Sequence, residues 1–341
     1  MADSALSGFP EPIRSTLEPV RAWALYSDPP THSRLRRLLS RALAPLNSPA
    51  LADSVRVNAR HLINSLLRRG IGDAVGEIAI PLPVATISEL LGLPVSDRGL
   101  LKAWSDDLIA IIEPELTPAQ ISRVHRAWTD LWDYFGEIVD QRRTSPGEDA
   151  VSWLVTGREQ GAGMSHQELV SNCVSLLLGG HETTTALLAS LLFELGGRPD
   201  VRAQLTRTPD LIPGFVEEIL RTNGPSKITA REARKDVQVG GHAIAAGQRV
   251  VLLLSAASRD LDAFDAPETF TPRRHPNPHL GFGHGAHACF GAALARLQAR
   301  ILTEEFLSQG HDLDVDTESV IWKQSQVLRS ASRLTLGRDL R

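Results

Sequence analysis

Cysteine is scarce in this chain of 341 residues, which contains only Cys173 and Cys289. Two cysteines cannot form a disulfide framework, a four-cysteine zinc site or the ligand set of an iron–sulfur cluster. Low cysteine usage of this kind also favours a reducing cytoplasm as the location of the protein. Any chemistry at sulfur must therefore depend on a single thiol.

The chain also lacks an excess of basic charge and a long apolar run. Its 36 Lys and Arg side chains face 40 Asp and Glu, which argues against nucleic acid as the main partner, because phosphate binding needs a basic surface. The first residues show neither a basic start nor an apolar segment, so we predict no signal peptide. No apolar run approaches the roughly 18 residues of a membrane span. The longest, VVLLLSAA at 250–257, predicts a buried strand.

Hydrophobic periodicity predicts helices over most of the chain. Apolar residues recur at three- and four-residue steps from Ile121 to Ile138, as in an amphipathic helix, and further helices are predicted over about 51–69, 73–91 and 292–307. Ser165 and Glu168 have the spacing of a capping box before an apolar run of about 30 residues, which predicts an unusually long helix.

The pattern changes after Pro225. The segments ITAREA, DVQV and RVVLLLSAAS alternate or are β-branched, with a turn at Gly240-Gly241, and VLRSASRLTL near the end also predicts strands. The fold class is therefore mainly α, of the α+β type, with a small segregated β portion.

The stretch FGHGAHACFG, Phe282–Gly291, surrounds one cysteine with glycines and histidines. Such a segment has little preference for regular structure of its own, so something that it binds must shape it. Cys289 fits three kinds of site: a nucleophile, a zinc site shared with His284 and His287, or an axial ligand to haem iron.

The predicted long helix breaks its own rules at LLLGGHETTT, Leu176–Thr185. Each glycine inside a helix costs about 1 kcal/mol relative to alanine, and three successive threonines add β-branched crowding. Local inconsistency of this kind is typical of functional sites. Close packing against a second helix would account for the two glycines equally well.

Four further pieces are individually weak. His32 and Arg36 lie one turn apart on a predicted helix face, Glu218 and Arg221 have i, i+3 spacing, and Arg231 and Arg274 end short loops or strands. Taken together, in this order and with the cysteine stretch last, they resemble the cytochrome P450 family of haem-thiolate monooxygenases. The resemblance runs from about Tyr26 to the C-terminus.

The family's cysteine pattern, Phe-x-x-Gly-x-x-x-Cys-x-Gly, is met by Phe282, Gly285, Cys289 and Gly291. Its oxygen-activating helix motif is met by residues of the interrupted long helix, namely Gly179, Gly180, Glu182 and Thr183. Its Glu-x-x-Arg pair, with the arginine that completes the triad, is met by Glu218, Arg221 and Arg274.

The resemblance implies the P450 fold, a helical bundle around a long oxygen-binding helix, with haem b and an O2-dependent reaction. Cys289 would be the iron ligand, Phe282 would pack beside its sulfur, and Gly291 would let the backbone approach the sulfur and porphyrin. The resemblance implies that the haem propionates are paired by four side chains: His32, Arg36, Arg231 and His287.

On the other side of the haem, the resemblance assigns Gly179 and Gly180 to the oxygen-binding helix, with Gly180 opening room for O2. Thr183 would hydrogen-bond the bound oxygen or a water, and Glu182 would relay protons inward. Glu218, Arg221 and Arg274 would be structural. The zinc hypothesis leaves these motifs unexplained, and no base with an orienting partner supports a nucleophile.

Electrons must come from outside, because no flavin or cluster motif is present. We expect a ferredoxin-type redox partner with an NAD(P)H reductase, docking on a basic face formed by Arg34, Arg37 and Arg41. A solvated helix face is the alternative. Lys227 would pair with an acidic substrate group or, more simply, reach a propionate or solvent.

We expect residues 1–341 to form a single P450 domain that lacks the usual N-terminal helix and strands. The leading function is a monooxygenase acting on a small or medium organic molecule in secondary metabolism, with hydroxylation as the default outcome. The alternatives are oxidative coupling or cyclisation by the same oxidant, and a degenerate haem protein that binds a partner without catalysis. No nucleic acid or membrane partner is expected, and the location is cytoplasmic.

Overall fold

The structure of the chain is a computed structural model. It describes residues 6, 9–11, 13–44, 48–158, 161–309 and 313–338. Helices make up 61% of the structure and the sheets are small, which confirms the mainly α class.

The α-helices occupy the first two-thirds of the chain and return once near its end. Their bounds are α1 (Ile13–Thr16), α2 (Thr31–Ala42), α3 (Pro49–Arg69), α4 (Pro81–Leu90), α5 (Arg98–Leu108), α6 (Pro118–Thr144), α7 (Ala150–Thr156), α8 (His166–Gly197), α9 (Pro199–Arg207), α10 (Ile212–Asn223), α11 (Leu254–Ala257) and α12 (Ala292–Gln309). The predicted capping box is present at the start of α8, where Ser165 and Glu168 exchange side-chain and backbone hydrogen bonds.

The strands form small antiparallel sheets. Their bounds are β1 (Ile71–Asp73), β2 (Ile228–Glu232), β3 (Val237–Val239), β4 (His242–Ile244), β5 (Arg249–Leu253), β6 (Asp314–Val315), β7 (Ile321–Trp322), β8 (Ala331–Arg333) and β9 (Thr335–Gly337). The sheets have the orders β1-β9-β6, β2-β5, β3-β4 and β7-β8. As predicted, Gly240 and Gly241 turn the chain between β3 and β4, with φ of 56° and 80°, a region that other residues rarely adopt.

Two predicted elements are wrong in detail. The single helix expected over 73–91 is instead the end of β1, a π-helical turn (Val75–Ala79) and α4, because Pro81 has no N–H to continue the first helical segment and starts a new one. The strand expected to be buried at 250–257 ends at Leu253 and is exposed, with Val251 at 49% and Leu253 at 57%. Among the described residues β5 pairs only with β2, and no second layer covers this sheet.

Helix α8 passes through the protein and packs against α4, α6, α10 and α12. Of the described helices, only α8 is long and apolar enough to cross a membrane, and 78% of its most apolar window is buried inside the protein, as expected of a core helix. Its first half (residues 169–178) belongs to one hydrophobic cluster and its second half (residues 187–195) to another. The segment between them, 179–186, lies outside both clusters and is the interrupted motif identified in the sequence.

Candidate functional site

A cavity of about 330 Å³ lies where the middle of α8 meets the cysteine stretch. Nearly every residue that the resemblance assigned to haem or O2 lines this one cavity. These residues are His32, Arg36, Gly179, Gly180, Thr183, Arg231, Phe282, His287, Cys289 and Gly291. They come from α2, α8, β2 and the loop before α12, so the tertiary fold joins segments that are far apart in sequence. Glu182 is not among the lining residues.

The cysteine loop is folded by its own backbone. The Cys289 N–H donates to the Phe282 carbonyl at 2.9 Å, and Gly283 and Gly285 adopt positive φ of 67° and 76°, which only glycine does without strain. The thiol of Cys289 is exposed and opens onto the cavity. The loop therefore presents one sulfur to an internal space.

Two opposing influences act on the Cys289 thiol. Burial raises its pKa, whereas a hydrogen bond from the Gly291 backbone and the charges of Arg36 and Arg296 lower it. Arg296, in the second turn of α12, also stacks its guanidinium over the Phe282 ring at 4.5 Å and pairs with Glu217 at 2.7 Å. Arg296 has no distinguishing signal in the sequence, because an arginine on a helix is usually only a surface charge. Burial outweighs the lowering effects, so the pKa of the free Cys289 thiol is raised overall, and a bond to a metal ion would be needed to stabilise the thiolate.

Basic and imidazole side chains gather at the end of the cavity that is formed by α2 and β2. The rings of His32 and His287 have centroids 4.1 Å apart. Burial lowers the pKa of both histidines, and the neighbouring guanidinium of Arg36 lowers it further; Arg231 adds to the effect on His287. Only Asp28 acts in the opposite direction in either case. This end of the cavity is therefore suited to a group that carries negative charge.

On α8 the Thr183 hydroxyl donates to the Gly179 carbonyl at 2.7 Å. A Cβ added to Gly179 would meet no atom within 4 Å, whereas one added to Gly180 would lie 2.7 Å from the Ile87 Cδ1 atom of α4. The open space is thus beside Gly179, and Gly180 permits close packing of α4 against α8. The open space that the resemblance assigned to Gly180 therefore lies beside Gly179 in the structure. Close packing against a second helix, the other explanation for the glycine pair, accounts for Gly180.

The sequence of the chain matches one protein family over most of its length. Residues 105–208 and 210–328 match the family described as Cytochrome P450. The chain belongs to the cytochrome P450 family. Its cofactor is therefore haem b and its activity is that of a monooxygenase, which uses O2, a small-molecule substrate and electrons from a redox partner.

Individual relatives cover most of this P450. The biotin biosynthesis cytochrome P450 of Bacillus subtilis (strain 168) is 34% identical over 291 residues, which is 85% of this chain and 73% of that protein. The mycinamicin IV hydroxylase/epoxidase of Micromonospora griseorubida is 35% identical over 326 residues, 94% of this chain and 81% of that protein. The crystal structure of P450BioI in complex with hexadec-9Z-enoic acid ligated acyl carrier protein has a TM-score of 0.92 at 30% identity and covers 97% of this chain and 86% of that one.

The residues of the cavity fit haem b. The group needs one thiolate donor and partners for two carboxylates, and the cavity offers the Cys289 sulfur together with His32, Arg36, Arg231 and His287. The zinc alternative is not supported, because no group of three or more His, Cys, Asp or Glu side chains in the described part of the chain could hold a metal ion.

In this P450, Glu182 points away from the cavity. Its side chain is 5% exposed, with its Oε1 atom 3.4 Å from His181 Nδ1 and its Oε2 atom 3.6 Å from Lys323 Nζ. Burial raises the pKa of Glu182 to about 7, while the charge of Lys323 opposes the rise. The sequence gives no local signal for Lys323, because it reaches Glu182 from the distant β7–β8 hairpin.

The expected triad of Glu218, Arg221 and Arg274 is assembled. The Nε and Nη2 atoms of Arg221 each donate to Glu218 at 2.8 Å, and Arg274 Nε lies 3.2 Å from both carboxylate oxygens. Burial alone would raise the pKa of Glu218, but bonds from Arg221, the Thr271 N–H and Arg274 lower it overall. Arg221 also donates to the carbonyls of Ser258 and Pro267, so the triad fixes the loops that follow β5.

Two other basic residues differ from expectation. Arg34 does not join an exposed basic face, because its guanidinium bonds Glu168 at 2.5 Å and the Gly163 carbonyl at 2.9 Å. Lys227 is half-buried, and its ammonium donates to the Ser325 carbonyl, a partner that the sequence did not predict. Arg37 and Arg41 remain exposed on α2, beside Gly285 and Ala286 of the cysteine loop.

Proposed function

We propose that this P450 carries out a tailoring oxidation on a small or medium-sized organic molecule of secondary metabolism, with hydroxylation as the default reaction. The observation that carries the proposal is that one cavity is lined by the Cys289 thiol, the His32–His287 end and the Gly179–Thr183 segment of α8. Monooxygenase relatives such as the mycinamicin IV hydroxylase/epoxidase support the tailoring role. Oxidative coupling by the same site would give a product without an added oxygen atom, which mass spectrometry distinguishes.

Cys289 is proposed as the iron ligand. When bound, haem supplies the oxidising chemistry, and its thiolate ligand favours cleavage of the O–O bond. The Cys289 side chain is held by its backbone bond to Phe282 and receives a hydrogen bond from the Gly291 backbone. Arg296 stacks over the Phe282 ring, which would hold that ring beside the sulfur and so limit the approach of water to the bound thiolate.

The propionate partners are proposed to be His32, Arg36, Arg231 and His287. A guanidinium pairs a carboxylate bidentately. A dianionic group would offset the two influences that lower the pKa of both histidines, namely burial and the positive charge of Arg36. Binding of haem should therefore raise the pKa of both imidazoles and draw a proton toward this end of the cavity.

On α8 we propose that Thr183 and Glu182 deliver protons to the reacting oxygen. The Thr183 hydroxyl gives its only proton to the Gly179 carbonyl, so its lone pairs are left to accept a hydrogen bond from a water in the cavity. A water held in this way can donate its second proton toward the open space beside Gly179. Glu182, whose pKa lies near neutrality, is suited to resupply that water.

Replacement of the proposed ligand tests the site. Cys289→Ser should abolish the spectral signature that a thiolate gives to the ferrous carbonyl complex, whereas Cys173→Ala should retain it, because Cys173 is buried in the first hydrophobic cluster. Survival of the signature in Cys289→Ser would overturn the ligand assignment.

We also propose that an acidic ferredoxin delivers the electrons, supplied by an NAD(P)H reductase in the cytoplasm, to a single domain formed by residues 1–341. The candidate docking surface is a concavity formed by Arg36, Arg37 and Arg41 of α2 together with Gly285 and Ala286. It adjoins the cysteine loop, which keeps the path for electrons short.

Charge reversal tests this surface. Arg37→Glu combined with Arg41→Glu should slow reduction by a ferredoxin and remove most of its salt dependence. Arg68→Glu on α3 combined with Arg207→Glu on α9 is the control, because it makes the same change of net charge at exposed residues outside the concavity. Equal rates for the double variant and the control would contradict the docking site.

A further inference from the structure

Glu182 is the centre of a cluster of charged side chains on the side of α8 away from the cavity, which we call the Glu182 cluster. It consists of Lys102 and Asp106 of α5, His181 and Glu182 of α8, and Lys323, which follows β7. Asp106 forms an ion pair with Lys102, and its charge and hydrogen bonding raise the pKa of Glu182.

The cluster connects the protein surface with the residue next to Thr183. Exposure rises outward from 5% for the Glu182 side chain to 27% for Lys102, 36% for Asp106 and 38% for Lys323. Water can therefore reach Asp106, while Glu182 is shielded from it. Thr183, adjacent to Glu182 in the chain, lines the cavity. Neighbouring positions on a helix point about 100° apart, so Glu182 must turn to reach the Thr183 side.

Lys323 is held in place by its hairpin. The backbone N–H of Lys323 donates to the Ser330 carbonyl at 2.8 Å. The loop that follows is joined to the segment before β2 by a hydrogen bond from the backbone N–H of Lys227 to the Val327 carbonyl, also at 2.8 Å. On the other side, the Glu113 carboxylate accepts from the Gln326 N–H at 3.0 Å. Because the loop is fixed from two sides, the fold sets the backbone position of Lys323 and so keeps its ammonium within reach of Glu182.

We propose that Lys323 is a positioning residue that controls proton delivery by Glu182, an inference that rests on the proposed relay role of Glu182. The ionised carboxylate is attracted to the Lys323 ammonium and is held on the outer side of α8, beside Asp106. A proton from the solvent reaches Glu182 through the more exposed outer part of the cluster. Protonation removes the charge that Lys323 attracts, so the form of Glu182 that can donate is the form free to turn toward Thr183. After donating to the water at Thr183, the carboxylate returns to Lys323.

The charges around Glu182 support this cycle. Burial raises its pKa to about 7, Lys323 opposes the rise more strongly than Lys102 does, and Asp106 adds to it through charge and hydrogen bond. Both forms are therefore populated near neutral pH. The remaining neighbour, His181, is neutral there because burial lowers its pKa to about 4. Its Nδ1 faces Glu182 Oε1 without changing the charge of the cluster.

The test measures the titration of Glu182 directly, in the haem-loaded ferric protein, from its infrared carboxyl band, which is assigned by its loss in Glu182→Gln. Lys323→Met should move the midpoint of the Glu182 titration above pH 7, and Asp106→Asn should move it below pH 7. Lys323→Arg should keep the midpoint of the parent protein. Lys235→Met is the matched control, since Lys235 is an exposed lysine that does not act on Glu182. The second readout is the share of NADPH electrons released as hydrogen peroxide with surrogate redox partners, which should rise several-fold in Lys323→Met.

The outcomes separate the two levels of the inference. If Glu182→Gln leaves peroxide release unchanged, the relay role of Glu182 fails and the positioning role fails with it. If Glu182→Gln raises peroxide release but Lys323→Met changes neither the midpoint nor peroxide release, only the role of Lys323 is overturned. The proposal is supported if Lys323→Met and Asp106→Asn shift the Glu182 midpoint in opposite directions and Lys323→Met also raises peroxide release.

Discussion

Replacing the adjacent glycines of α8 one at a time should have opposite effects on stability and on ligand access. A Cβ at Gly179 meets no atom within 4 Å, so Gly179→Ala should gain the helix-propensity difference of about 1 kcal/mol. A Cβ at Gly180 lies 2.7 Å from Ile87 Cδ1 and 2.9 Å from its Cγ1. Overpacking of this kind costs about 1–3 kcal/mol, so Gly180→Ala should lose about 0–2 kcal/mol after the same helix gain.

Urea unfolding of the haem-loaded protein, followed by helical circular dichroism, measures these differences. Ile87→Ala removes both crowding atoms and should therefore compensate for Gly180→Ala. The double variant should be more stable than the sum of the single effects predicts, with a coupling of at least about 0.5 kcal/mol. The pair Gly179→Ala and Ile87→Ala is the control cycle and should be closer to additive, because the Gly179 methyl does not meet Ile87.

Ligand access should follow the reverse order. The methyl of Gly179→Ala occupies the open space in the cavity, so carbon monoxide should bind the reduced haem more slowly than in the parent protein. Gly180→Ala, whose methyl faces α4, should retain the parent rate. The assignment of the open space would be refuted if Gly180→Ala were as stable as Gly179→Ala, or if it slowed carbon monoxide binding more.

Three further outcomes follow from buried groups and caps. His181 is 1% exposed and, among the described residues, neither ring nitrogen has a hydrogen-bond partner. Because burial lowers the pKa of His181 to about 4, the free energy of unfolding should fall as pH drops from 6.5 toward 4, at up to about 1.4 kcal/mol per pH unit. His181→Leu should flatten that part of the pH profile measured by urea unfolding. Glu218→Gln should lower the free energy of unfolding by about 3–5 kcal/mol, because it leaves Arg221 and Arg274 buried without a counter-charge. Since the pKa of Glu218 is lowered in the native protein, its stabilisation is present above the unfolded-state pKa and is lost as pH falls through the native pKa. Acid unfolding of the two proteins checks this difference. Ser165→Ala should destabilise α8 by about 1 kcal/mol, and a Ser165→Asp variant that is no more stable than Ser165→Ala would contradict the capping account.

Much of the fold follows from local patterns. The amphipathic spacing correctly predicted α6, the capping box at Ser165 and Glu168 predicted the start of α8, and the glycine pair 240–241 predicted the β3–β4 turn. These features depend on periodicity and on contacts within a few residues, which the sequence displays directly. The break in the helix at Pro81 can also be predicted from the sequence, because proline cannot continue a helix. The apolar spacing continues across Pro81, and for this reason it wrongly predicts one helix over 73–91.

Burial of β5 could not be inferred in the same way. An apolar run shows that a strand tolerates a buried place, but exposure depends on which elements cover it, and β5 pairs with β2 alone among the described residues. The contacts of the Arg34 and Lys227 side chains could not be predicted from the sequence for the same reason. Their partners, Glu168 and the Ser325 carbonyl, lie far along the chain, and nothing in the local sequence specifies them.

The sequence by itself determined which residues carry the chemistry: one thiol in a glycine-rich loop, an acid and a hydroxyl beside two glycines, and a few basic side chains. Their types and spacing are local properties and need no coordinates. The tertiary structure decided how they are used, because packing sets direction. The contact with Ile87 turns Gly180 into a packing position and leaves the space to Gly179. The β7–β8 hairpin brings Lys323 to Glu182, and no pattern around either residue specifies that pair.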